Sequence, residues 1–282
     1  MATKDNFFQT SDGVWLYYEV TGEGRPILFL PGFGESVTMW RHSVPVLSQN
    51  HKVICLDLRG HGNSMMVCGS NTQERMAQDI RELIDFLELK DVLLIGHSLG
   101  GSVVASYAEL QNQHALRGMI LVDASLHPFG NAEWNHQKDR GYNIEYWYKR
   151  MGPYMYQPLE FAQAYKSSLP AALEPEDAQL LYESLLKLPP WIGVEYQLGS
   201  YFTDNMTPLA KRTIPVATFV SHSDYYDFWD SGHEAVKRMT NSPLALCYEF
   251  TEAQHHLFPI LEYQKFNSCI LDFEEKIDSL NR

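Results

Sequence analysis

This chain is poor in cysteine and in positive charge, and it has no long apolar run. Its four cysteines, Cys55, Cys68, Cys247 and Cys269, are scattered over 282 residues with no CxxC pair. That spacing favours free thiols in a reducing cytoplasm over disulfides. Lys and Arg number 22 against 35 Asp and Glu, a net charge of −13. So acidic a surface repels nucleic acid and anionic membranes, and neither is expected as a partner. The apolar runs "PILFLPGF" and "GMILV" are far too short to span a bilayer. The start, "MATKDNFFQTSDG", lacks the apolar core of a signal peptide. There is no internal repeat and no low-complexity segment.

What is present is ordinary globular composition, 45% hydrophobic and 20% charged, arranged as alternating strands and helices. "VWLYYEV", "PILFLPG" and "KVICLDLRG" read as strands punctuated by glycine. Residues 72–88 place Met76, Ile80, Leu83, Ile84 and Leu87 at helical spacing. "DVLLIG" is a continuous apolar run of the kind buried on both faces of a parallel sheet. "GGSVVASYAEL" then reads as a helix and "GMILVDA" as a strand. The alternation stops near Ser125 and resumes with "IPVATFVSH", "GHEAVKRMT", "LALCYEF" and "EYQKFNSCILDFEEKI". Such alternation implies an α/β fold, a mostly parallel central sheet flanked by helices. The expected core is residues 1–124 and 208–282. A mainly helical insertion, residues 125–207, interrupts it.

Gly96-His97-Ser98-Leu99-Gly100 fits G-x-S-x-G directly after a strand and before a helix, the context of a nucleophile elbow. A serine on so tight a turn stands above the sheet at the positive end of the following helix. Side chains at Gly96 and Gly100 would crowd that turn.

With "LPGFGES", "LDLRGHGNS" and "IGHSLGG", the chain resembles the α/β-hydrolases over most of its length. The resemblance implies a Ser-acid-His triad in that chain order, each member carried by the end of a different strand. Ser98 is then the nucleophile, with the backbone N–H groups of Phe33 and Leu99 as the oxyanion hole. Pro31-Gly32 stands where many relatives have His-Gly. The acid is expected after the strand "PVATFV", at Asp224. Asp227 and Asp230 lie nearby, and Asp123 ends the earlier strand at a position some members use. His256 is the expected base from its register with Leu257, Phe258 and Pro259, and its neighbour His255 stays open as the alternative. An unperturbed histidine titrates near pH ~6.5, so activity should fall as pH drops through roughly 6–7.

Other motifs carry less. His97 is expected to pack locally, and Asp57, Arg59 and His61 to be structural. "SGHEAVKRM" has His-Glu without the second histidine of a zinc motif, and "TGEGRP" lacks the ending of a phosphate loop. No metal and no cofactor are expected. The insertion is rich in aromatics, among them Tyr146, Phe161, Tyr165 and Trp191. In the family such an insertion caps the serine. The stretch "RGYNIEYWYKRMGPYMY" is the expected pocket wall, through Trp147, Tyr148 and Tyr154. The expected function is hydrolysis of small to medium carboxylic esters. C–C bond hydrolase, lactonase, amidase or perhydrolase chemistry, or a non-catalytic small-ligand receptor, remain the alternatives.

Overall fold

The computed structural model describes residues 6–127, 143–223 and 228–280. Eight strands form one sheet: β1 (Phe7–Gln9), β2 (Trp15–Thr21), β3 (Arg25–Leu30), β4 (His51–Leu56), β5 (Val92–His97), β6 (Leu116–Val122), β7 (Val216–Ser221) and β8 (Ala245–Phe250). Their order across the sheet is β1-β2-β4-β3-β5-β6-β7-β8. β1 and β2 pair antiparallel, and β2 pairs antiparallel with β4. From β4 to the far edge every pairing is parallel. The expected strands are all present. β1, only three residues long, is an addition that its short run did not announce.

The helices are α1 (Val44–Leu47), α2 (Gln73–Phe86), α3 (Leu99–Leu110), α4 (Ile144–Tyr156), α5 (Pro158–Ser168), α6 (Pro175–Lys187), α7 (Pro190–Phe202), α8 (Trp229–Arg238), α9 (Phe258–Leu261) and α10 (Tyr263–Leu280). Helix α2 starts where Thr72 caps it, its side chain accepting from the Arg75 amide. That contact satisfies one of the amides left over at a helix start. Its buried face is Met76, Ile80, Leu83 and Ile84, at the spacing the sequence predicts. Strands β5 and β7 are buried at every residue. One apolar cluster packs around Leu28, Leu94, Val103 and Ile80, and a second around Phe29, Ile95, Phe219 and Phe266. The two clusters take alternate residues of the same strands, as the period of two requires.

Between β6 and β7, α4 to α7 contribute helix and no strand among the described residues. Polar contacts fasten them to the loops at the sheet's end. Ser36 and Ser184 hydroxyls lie 2.8 Å apart, and His42 Nε2 is 2.9 Å from an Asp177 carboxylate oxygen. The Tyr196 hydroxyl donates to the Arg59 carbonyl at 2.6 Å. Arg59 itself is buried and forms a two-pronged pair with Asp79, both contacts 2.6 Å. Asp57 accepts the amides of Val37 and Asn63. Both residues thus brace the "LDLRGHGNS" turn. The four cysteines form no disulfide. No described helix is long and apolar enough to cross a membrane.

Candidate active site

In a parallel sheet, ligands collect at the carboxyl ends of the strands where the strand order reverses. Here the chain leaves β3 toward β4 on one side, and β5 lies on the other. Phe33 follows β3 and Ser98 follows β5, at that reversal. Asp123 follows β6 and His256 follows β8.

Ser98 has φ +53° and ψ −115°, a conformation that side-chain-bearing residues rarely adopt. The surroundings enforce it. A Cβ on Gly96 would lie 2.2 Å from the Gly100 carbonyl oxygen, and one on Gly100 would lie 2.6 Å from the carbonyls of Leu30 and Pro31. Gly101 has no room either, with Ala124 Cβ 2.6 Å away. The crowding is therefore against both the turn itself and the neighbouring strand ends. The Ser98 amide donates to Val122 across the β5–β6 pair at 2.8 Å. Leu99 opens α3, so its N–H has no acceptor within the helix.

The two histidines of the β8–α9 loop separate clearly. His256 Nδ1 lies 2.6 Å from Asp123 Oδ2. His255 Nδ1 accepts the Leu257 amide at 3.0 Å, a contact within its own turn. Asp123 is fully buried at φ +45°, and its other oxygen accepts the Ser221 amide at 3.2 Å. Asp224 and Asp227 lie outside the described residues. Among the described residues, the carboxylate on His256 is Asp123. Asp230 sits in the first turn of α8. Burial holds the His256 ring well below the usual imidazole range, and the charges of His97, His255 and Arg150 act in the same direction. The Asp123 carboxylate opposes them, because it stabilises the imidazolium. Burial also lowers His255.

Ser98 and His256 both line one cavity of about 540 Å³, together with Phe33, Leu99 and His255. Its remaining walls include Phe161 and Tyr165 of α5, Leu185 of α6, Tyr201 of α7, and Phe228. Glu35, Arg150, Gln197 and Ser200 give it polar patches. Trp147, Tyr148 and Tyr154 do not line it. Trp147, Met151 and Tyr154 recur at helical spacing and are α4's buried stripe. Tyr154 supports the wall from behind, its ring edge-on to Phe33 with centroids 5.6 Å apart and its hydroxyl donating to the Leu188 carbonyl. Tyr148 points outward, 64% exposed. Of the expected stretch only Arg150 reaches the cavity, and residues 140–142 of it lie outside the described residues. Periodicity on α4 identifies an apolar face but not what that face meets. Glu35 had no signal beyond its place in "LPGFGES". No group of three or more His, Cys, Asp or Glu among the described residues could hold a metal ion.

Residues 25–172 match the sequence model of the alpha/beta hydrolase fold family. The chain is 34% identical over 116 residues to a non-heme chloroperoxidase of Kitasatospora aureofaciens, covering 41% of this chain and 42% of that protein. It is 35% identical over 112 residues to a soluble epoxide hydrolase of Corynebacterium sp. (strain C12), covering 40% and 39%. The chain thus spans about two fifths of the length of these curated relatives. Two solved structures share the fold almost throughout. The bromoperoxidase from Bacillus anthracis matches with TM-score 0.83 at 20% identity, over 93% of this chain and 96% of that one. An esterase from Exiguobacterium antarcticum matches with TM-score 0.81 at 20% identity, over 95% and 98%.

Proposed function

This chain belongs to the α/β-hydrolase family, and from that premise we propose that it is a serine hydrolase cleaving small to medium carboxylic esters through an acyl-enzyme on Ser98. The observation that carries this reading is a strained serine sharing a cavity with a histidine whose far nitrogen is held by a buried carboxylate. A serine hydroxyl is inert at neutral pH without such a base.

His256 donates its Nδ1–H to Asp123, so Nε2 is the nitrogen that takes the Ser98 proton. Ser98 Oγ attacks the ester carbonyl, and the resulting oxyanion is received by the amides of Phe33 and Leu99. Each such donor contributes roughly 10²–10³ in rate. His256 returns the proton to the leaving alcohol, then activates the water that releases the acid. Asp123 holds the tautomer and stabilises the transient imidazolium. The 2.6 Å contact supports Asp123 as the acid, and Asp224 lies outside the described residues. Residues 125–207 act as a cap, whose α5 and α7 side chains shape the acyl and alcohol subsites.

A p-nitrophenyl ester series from acetate to decanoate tests this reading. Wild type should turn over the short and middle members, and Ser98→Ala should lose about 10⁶ in kcat. Mass spectrometry under rapid quench should find the acyl group on Ser98. Equal rates for wild type and Ser98→Ala would end the proposal. Similarity to proteins named as peroxidases favours a second reading, perhydrolysis, in which hydrogen peroxide replaces water in attacking the acyl-enzyme. Peracid formation from a carboxylic ester and peroxide, absent in Ser98→Ala, would support it.

A further inference from the structure

One buried pair beside the site has no part in the triad. His97, the residue before Ser98, is 0% exposed, and the Glu35 side chain is nearly as buried. His97 Nδ1 lies 2.9 Å from Glu35 Oε2, and Nε2 lies 3.0 Å from the backbone carbonyl oxygen of His256. The same Glu35 oxygen accepts the Gly32 amide at 2.6 Å.

These contacts count protons. A carbonyl oxygen only accepts, so Nε2 carries a hydrogen. An ionised carboxylate also only accepts, so the Nδ1–Oε2 contact needs a hydrogen of its own. A neutral imidazole has one N–H and cannot supply both. The pair must hold one proton more than neutral histidine plus ionised glutamate, on either Nδ1 or Oε2.

We propose that Glu35 and His97 are positioning residues which share this proton and clamp the oxyanion turn and the base loop onto the nucleophile elbow. This rests on the serine-hydrolase reading above for its catalytic meaning, though not for its proton count. Glu35 holds the amide of Gly32, next to Phe33, the oxyanion donor. His97 holds the carbonyl of His256, the base. Gly32 is where the two meet: a Cβ there would lie 2.8 Å from Glu35 Oε2 and 3.1 Å from His97 Nδ1. A clamp of this kind fixes three loops from different strands with two side chains. Misplacement of reacting groups by about 1 Å costs on the order of a hundredfold in rate.

The pair also sets charge beside the base. The His97 and His256 rings are 4.4 Å apart between centroids. Asp123 faces His256 from β6, His255 from its own loop and Arg150 from α4. His61 and Tyr165 also lie within the electrostatic reach of Glu35.

The first test is nitrogen NMR of ¹⁵N-histidine-labelled wild type at pH 7, read beside Glu35→Gln. His97 should show protonated Nε2 and, at Nδ1, a hydrogen-bonded proton shared with Glu35 that is lost in Glu35→Gln. A His97 Nδ1 that neither carries nor accepts a hydrogen-bonded proton in wild type overturns the proposal whether or not any ester is hydrolysed. The second test is kinetic. Glu35→Gln should lower kcat between about tenfold and a hundredfold with KM within about twofold. Glu35→Asp should recover part of kcat. A Glu35→Gln enzyme with wild-type kcat also overturns the proposal.

Discussion

The cavity has two walls of different construction. One is the set of strand ends, where Ser98, Asp123 and His256 sit on backbone that neighbouring strands hold in register. The other is α5 and α7, where Phe161, Tyr165 and Tyr201 reach the cavity from helices anchored by side-chain contacts. In the first wall Asp123 is fully buried, and Ser98 and His256 are half-buried. The second belongs to helices that also expose Leu159, Trp191 and Phe202. Chemistry needs groups placed to a fraction of an ångström, and a sheet edge supplies that. Selectivity needs only a shape, and side chains on helices can vary it without disturbing the strands.

This difference can be broken first at the sheet. Asp123→Asn should lower kcat by about 10⁴ with little change in KM, because the base then loses its tautomer and its stabilising charge. Asp224→Asn should keep activity within about tenfold of wild type. The reverse pattern in the same ester assay would return the acid to Asp224.

On the helical wall the effects should be smaller and of another kind. Tyr165→Ala should change kcat/KM for the longer esters by roughly 10–200-fold and shift the chain-length optimum. The rate on p-nitrophenyl acetate should change far less. A uniform loss for every chain length would mean that Tyr165 belongs with the chemistry and not with the shape.

The pH profile sharpens the comparison further. Only neutral His256 can accept the Ser98 proton. Burial and the neighbouring positive charges hold its proton affinity down, so kcat/KM should stay on its plateau at pH 7 and fall only well below 6.5. An acid limb centred at or above 6.5 would contradict that environment. Stability moves the same way. His61, buried against Tyr196, is lowered to about 4 from 6.5. Below pH 6.5 the unfolded chain therefore binds more protons than the folded one, and stability falls as pH drops toward 4.

The smallest effect should come from the outer surface of the cap. Trp191 is 60% exposed and outside the cavity with Ser98. Trp191→Ser should leave kcat/KM within about twofold, since exposed substitutions away from special contacts change little.

The sequence by itself determined every strand but the three-residue β1, the long core helices and the elbow. Each is a local pattern: apolar runs for buried strands, a 3.6-residue stripe for α2 and α10, and glycines wherever a Cβ would strike backbone. It also placed two adjacent histidines after β8 and favoured His256 by register. What each ring touches is decided only by the tertiary structure. His256 meets a carboxylate 133 residues away, and His255 turns back on its own loop. The same holds for Asp123, which in the sequence is one aspartate at the end of one strand. Only the parallel pairing of β5, β6 and β7 brings that strand end between the elbow and the β8 loop. Trp147 and Tyr154 teach the converse lesson. Their spacing shows a face that must be buried, and burial in a packed interior looks the same in sequence as burial against a ligand. Glu35 and His97 lie 62 residues apart, and neither carries a local pattern that points to the other. Their pairing exists because β3 and β5 are neighbours in the sheet.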